Sequence, residues 1–212
     1  MNKYLHKFTY INIRQKLELF DKLVLPTLNY GCEVWGFQHG KAVERLHVQF
    51  CKQLLGVQKN THNDFVYGDL GRMPFQNTRY YELVKFWLRI LQSDNKKYIK
   101  IVYTMLYQDI LNKPNTKNWC SLLRDLLFAL GFADAWYLQS VGNNKLFLSL
   151  IMQRIQDQCL QNWRSRLDLS SRAGFYKHIA CFRFQLYLDL FNVPKYRISL
   201  SRLRLVSHQL CI

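Results

Sequence analysis

The chain has 212 residues and a net charge of +16, from 30 Lys+Arg against 14 Asp+Glu. Hydrophobic residues make up 49% and charged residues 21%, which supplies a sizeable core and excludes a disordered chain. The basic balance points to a polyanionic partner, nucleic acid being the usual one, and the most apolar stretch, Leu126 to Val141 broken at Asp134, falls short of the roughly 18 clean residues of a membrane span.

The N-terminal cations Lys3, Lys7, Arg14 and Lys16 precede no apolar segment, so no secretory signal is expected. Cys32, Cys51, Cys120, Cys159, Cys181 and Cys211 are widely separated, matching neither a zinc-site spacing nor a disulfide framework. Reduced, mostly buried thiols in an intracellular protein, of nucleus or cytoplasm, are the expectation.

Apolar residues recur at helical spacing along most of the chain. The first run joins Leu17, Phe20, Val24, Leu28, Gly31, Val34 and Trp35, and Pro26 within it predicts a kink or a division. A helix is predicted over Lys41 to Leu55 with Gly56 as its C-cap. A short helix through Val66, Tyr67 and Leu70 is capped by Thr61 or Asn63 and ends at Gly71. The next helix covers Asn77 to Leu91, with Tyr80, Leu83, Val84, Trp87 and Ile90 or Leu91 inward. Another follows through Ile99, Val102, Leu106 and Ile110, stopped by Lys113-Pro114-Asn115. Trp119 to Leu130 and Asn144 to Leu167 complete the regular part, the latter with Phe147, Ile151, Ile155, Cys159 and Trp163 in line. Phe175 to Phe191 is predicted helical in one or two pieces. Arg197 to Ser201 alternates like a strand, yet with Arg202 to Val206 reads better as helix. The fold class is all-α, an irregular array of about seven to nine helices with no substantial sheet.

Catalytic patterns are not found. Gly68-Asp69-Leu70-Gly71 lacks the lysine and preceding strand of a phosphate loop and reads as a helix end. His47 and Cys51 share a helix face, but no further metal ligands stand at a useful spacing, so packing is the expectation and neither metal nor cofactor is predicted. Phe132-Ala133-Asp134-Ala135 offers one carboxylate where two-metal phosphoryl transfer needs a pair, and the acids elsewhere stand singly. The chain is read as not an enzyme.

Basic chemistry remains. Residues 1–100 carry a net +8, 101–150 a net +1 and 151–212 a net +7. In the last segment Arg154, Arg164, Arg166, Arg172, Lys177, Arg183, Lys195, Arg197, Arg202 and Arg204 face only Asp157, Asp168 and Asp189. Arginine forks match phosphates, and aromatics among them, such as Tyr196 between Lys195 and Arg197, suit stacking on unpaired bases. Trp163 completes an apolar stripe and is expected in the core. These ten cations are the candidate nucleic-acid contacts, with low sequence specificity.

Three blocks carry a resemblance: Leu19-Phe20-Asp21-Lys22-Leu23-Val24-Leu25-Pro26-Thr27-Leu28-Asn29-Tyr30-Gly31-Cys32-Glu33-Val34-Trp35-Gly36, then Phe50 to Val57, then Asn63 to Pro74. Together they resemble the region after the catalytic palm of LINE-type (non-LTR) retrotransposon reverse transcriptases. The resemblance implies thumb and post-thumb regions without the palm carboxylates. With the near-neutral middle placing a boundary near the Lys113-to-Lys117 loop, the expectation is a thumb-like helical subdomain over 1–112 and a basic post-thumb subdomain over 113–212. The resemblance further implies RNA or DNA as partner, together with other parts of a retrotransposon polyprotein; no membrane partner is expected, for want of an apolar span. Pro26, Tyr30, Gly31, Glu33, Trp35, Tyr67, Gly68, Leu70 and Gly71 match the family pattern and are read as packing and hydrogen-bonding residues. The competing expectations are a helical protein-interaction scaffold and a retrotransposon relic without function.

Overall fold

The computed structural model describes residues 11–37, 40–191 and 193–207. All regular structure among them is helical, with no strand, so the all-α class holds. In chain order the elements are α1 (Ile13–Leu19), a π-helical turn (Phe20–Val24), α2 (Leu25–Leu28), α3 (Cys32–Trp35), α4 (Gly40–Leu55), α5 (Asn63–Leu70), α6 (Phe75–Gln92), α7 (Tyr98–Asn112), α8 (Trp119–Ala129), α9 (Ala133–Leu138), α10 (Asn144–Leu169), a 3-10 turn (Ser171–Ala173), α11 (Tyr176–Ile179), α12 (Tyr187–Leu190) and α13 (Pro194–Arg204). The helices exceed the expected seven to nine because α2, α3, α11 and α12 are single four-residue turns. None among the described residues is long and apolar enough to cross a membrane.

Local chemistry sets most boundaries. Asn12 caps α1 through a reciprocal capping box with Gln15, satisfying two otherwise orphan groups. Pro26 has no N–H and crowds the carbonyl of Lys22 in a regular helix. The chain relieves this by widening into the π turn, where the Leu25 N–H donates to Phe20 O. The helix is divided by Gly31 at φ +66 rather than by Pro26. Gly56 and Gly71 take the same left-handed conformation and close α4 and α5, the position where glycine has no Cβ penalty. The α5 N-cap is His62, whose imidazole accepts from the Asp64 N–H, not Thr61 or Asn63. Pro194 opens α13 in the first turn, where its missing N–H costs nothing.

Two compact units interleave along the sequence. The first draws its described residues from Met1–Tyr30, Ala42–Pro74 and Leu160–Ile212, the second from Gly31–Lys41 and Phe75–Cys159. The stretches 1–112 and 113–212 therefore each contribute to both units.

The second unit is an aromatic-rich core around Trp87, Tyr103, Leu123, Leu127, Trp136 and Ile151. Trp87 Nε1 donates to Tyr103 Oη at 2.9 Å, and Trp119 Nε1 donates to the Glu33 carbonyl at 2.9 Å, holding α3 to the start of α8. In α7 the inward residues are Tyr103 and Ile110, with Leu106 and Tyr107 partly covered, while Ile99 and Val102 are exposed. This corrects the expected stripe. Once Tyr103 is fixed by Trp87 and packed edge-on to Trp119, the helix period places Val102 outward.

Candidate nucleic-acid interface

The first unit is organised around α5, whose residues Asp64 to Leu70 are all buried. Two of these residues are carboxylates, which can be buried only when paired and hydrogen-bonded. Asp64 receives the Arg166 fork, Nε to Oδ2 at 2.9 Å and Nη2 to Oδ1 at 2.7 Å. Its backbone carbonyl accepts from Trp163 Nε1 at 2.8 Å.

Asp69 is wholly shielded from solvent and is the more elaborate centre. It accepts from Tyr176 Oη at 3.2 Å, Tyr187 Oη at 2.9 Å, and Arg204 Nε and Nη2 at 3.1 Å each. Burial first, and then the Asp69 charge, push both phenol pKa values well up, so the tyrosines remain donors. Burial works against the Arg204 charge, but Asp69 more than offsets it and raises the guanidinium pKa. Gly68 lies between the two aspartates, and a Cβ there would stand 2.6 Å from both Trp163 Cζ2 and Tyr176 Oη.

These contacts sort the ten candidate cations. Arg204 is turned inward onto Asp69. Arg166 directs its fork to Asp64 while keeping about half its side chain in solvent. Arg197 is half-buried; its Nε is enclosed without a hydrogen-bond partner among the described residues, and burial lowers its pKa. Arg202 is exposed, with Nε donating to the Gly56 carbonyl at 2.8 Å. Arg164, Arg172, Lys177, Arg183 and Lys195 are exposed in the first unit, and Arg154 is exposed in the second.

The described acids of the C-terminal segment do little to neutralise them. Asp189 is engaged by Arg14 Nη2 at 2.9 Å, and Asp168 is exposed. Exposed Lys22, Arg45 and Lys59 add to the same unit. They escaped the sequence reading because they stand among acids in the N-terminal half.

The motif residues are placed as follows. Pro26 and Tyr30 are exposed, Gly31 is the left-handed turn, and Glu33 and Trp35 are partly buried. Tyr67, Gly68 and Leu70 lie in the buried face of α5, and Gly71 closes it. A Cβ on Gly71 would meet the backbone of Arg183 and Phe184 at 2.5–2.8 Å, so this turn needs glycine for close approach as well as for its φ.

His47 and Cys51 are both buried, and the imidazole Nε2 accepts from Arg72 Nε at 3.1 Å. Arg72 is itself paired with Asp21, Nη1 to Oδ2 at 2.9 Å. A guanidinium therefore occupies the lone pair that a metal would need. Burial, then the Arg72 charge, hold the His47 pKa down at about 3. Among the described residues no three His, Cys, Asp or Glu side chains gather into a metal-binding group. Cys32, Cys51 and Cys120 are buried free thiols, Cys159 is partly buried and Cys181 is exposed; Cys211 lies outside the described residues.

Comparison with models of known families, with curated proteins and with solved structures finds no match for this chain.

Proposed function

We propose that this chain is a non-catalytic nucleic-acid-binding fragment of the kind found after the palm of a LINE-type retrotransposon reverse transcriptase, holding RNA or DNA by its backbone. The observation that supports the reading is the outer surface of the first unit. Arg164, Arg172, Lys177, Arg183, Lys195 and Arg202 are exposed there, while half-exposed Arg166 and inward Arg204 are matched to Asp64 and Asp69. Cations in excess of the carboxylates they can pair with are a phosphate-binding surface by charge, and such binding is sequence-tolerant. The order of the three sequence blocks supplies the retrotransposon part of the reading, with other parts of such a polyprotein as further partners and an intracellular setting. No reaction is assigned to the chain.

The test is equilibrium binding of the purified chain to a structured RNA, a single-stranded DNA and a duplex DNA at low salt. The reading expects all three to bind. A folded, monomeric sample that binds none of them overturns it.

A helical protein-interaction scaffold is the second reading, favoured by one observation. Ile101, Val102 and Met105 on α7 are exposed together at 43–63%, an apolar face of the sort that marks protein contacts. Loss of nucleic-acid binding with retained self-association or partner capture through this face would favour it.

A further inference from the structure

The outer face of α13 has a composition that distinguishes it from the rest of the basic surface. Its eleven residues, Pro194–Arg204, include four cations and no acid. Tertiary packing divides them. Arg197 and Arg204 are drawn inward, Ile198 lies under Gly56, and Ser201 is buried with its hydroxyl 3.0 Å from Tyr187 Oη. Lys195, Tyr196, Ser199, Arg202 and Leu203 are left exposed. Their spacings of three, four and seven place them on one face.

Two properties of that face narrow its ligand. Tyr196 is 60% exposed and has no hydrogen-bond or ring partner among the described residues. An aromatic ring left in water beside exposed Lys195 is a surface for a flat, electron-rich group. Arg202 is also held in place, its Nε fixed to the Gly56 carbonyl at 2.8 Å. Its remaining guanidinium N–H groups are thus presented to solvent with little side-chain freedom left to lose on binding.

A polyanion satisfies the two cations. A duplex leaves the ring without a role, since paired bases are stacked on one another and hidden from it. Unpaired bases expose their faces, and stacking on them is tolerant of sequence. We infer that the outer face of α13 binds single-stranded nucleic acid, with Lys195 and Arg202 on successive phosphates and Tyr196 stacked on a base. This rests on the nucleic-acid reading above and names the strand state it selects.

Tyr98 provides an internal comparison. It is also exposed and stands near Lys97 and Lys100. It heads the apolar face of α7, however, on a helix that also carries Asp109.

The experiment measures affinity for a fluorescent oligo-dT strand and for a DNA duplex of equal length, using wild type, Tyr196→Ala, Tyr196→Phe and Tyr98→Ala. Circular dichroism confirms the fold of each variant. Tyr196→Ala is expected to weaken the single strand roughly 5- to 100-fold, the loss of one stacked base, and to leave the duplex unchanged. Its salt dependence should match wild type, because no phosphate contact is lost. Tyr196→Phe keeps the ring and should bind like wild type, as should Tyr98→Ala. Equal losses on single strand and duplex, no loss on either, or the same loss for Tyr98→Ala overturn the assignment to α13. Wild type binding neither ligand instead overturns the broader nucleic-acid reading, so the two failures are distinguishable.

Discussion

Arg204 reaches back 135 residues in sequence to close on Asp69, placing Nε 3.1 Å from Oδ2 and Nη2 3.1 Å from Oδ1. The pair ties α13 to α5, which is buried from Asp64 to Leu70. It also decides which arginines of α13 remain for a ligand. A guanidinium committed to a fully buried carboxylate is a structural group, and its neighbour two residues earlier, Arg202, is an exposed one.

Removing one partner of a buried pair leaves the other charge desolvated and unmatched. Arg204→Ala is therefore expected to destabilise the chain by about 3–5 kcal/mol, read as a lower urea midpoint. Arg202→Ala, at an exposed site, should stay within about 0.5 kcal/mol of wild type. Equal effects from the two substitutions would contradict the division of α13 into inward and outward cations.

Gly68 is required by packing rather than by backbone conformation. A methyl group there would collide with the Trp163 ring and the Tyr176 hydroxyl, whose one proton is shared between Asp69 Oδ1 and the Phe65 carbonyl, 3.0 Å away. Gly68→Ala normally favours a helix interior by about 0.5–1 kcal/mol, but forcing extra volume into a filled core costs about 1–3 kcal/mol. The expected outcome is a lower Tm in thermal unfolding. A raised Tm would mean that the rings move aside freely.

His47 gives the fold an acid sensitivity. Its native pKa is held near 3 against an ordinary 6.5, so between those values the unfolded chain binds a proton that the native chain does not. Stability from this residue is complete above pH 6.5 and falls as pH drops through that interval, by about 1.4 kcal/mol per pH unit. Urea unfolding of His47→Gln and wild type at pH 4 to 7 should show the slope reduced by about one proton in the variant. Parallel slopes would contradict a buried neutral imidazole.

Thiol reactivity follows burial. Burial, and then the Glu33 charge, push Cys32 up to about 11; burial outweighs the opposing Arg72 charge and pushes Cys51 to about 12, and burial alone pushes Cys120 to about 12. Since the thiolate is the reacting species, a native-state alkylation time course read by peptide mass spectrometry should label exposed Cys181 before Cys32, Cys51 and Cys120. Those three should react only on unfolding. Fast labelling of Cys51 would show that the His47–Arg72 region opens.

The all-α class and the ends of the longer helices were legible in the sequence, because apolar residues recur at helical spacing and Gly56 and Gly71 punctuate it. The inward face of α7 was not. Ile99 and Val102 fit the same period as Tyr103 and Ile110, and only the Trp87 hydrogen bond across sixteen residues chooses between them. The pairing of Asp69 is not legible in the sequence, because its partners Tyr176, Tyr187 and Arg204 stand 107 to 135 residues away. The basic surplus of the C-terminal segment was legible as charge, while the direction of each arginine depends on which one meets a buried carboxylate.

The central claim is that the outward cations of the first unit, and not the inward ones, hold a nucleic-acid backbone. The most direct test is a salt titration of RNA and DNA binding for wild type and for a variant with Arg164, Arg172, Lys177 and Lys195 changed to Ala. All four side chains are exposed, so unfolding midpoints should remain near wild type. The account predicts steep loss of affinity with log salt for wild type, and a slope shallower by about 0.7–0.9 for each phosphate contact removed. Wild-type binding that is insensitive to salt, or an unchanged slope in a variant that folds normally, would contradict it.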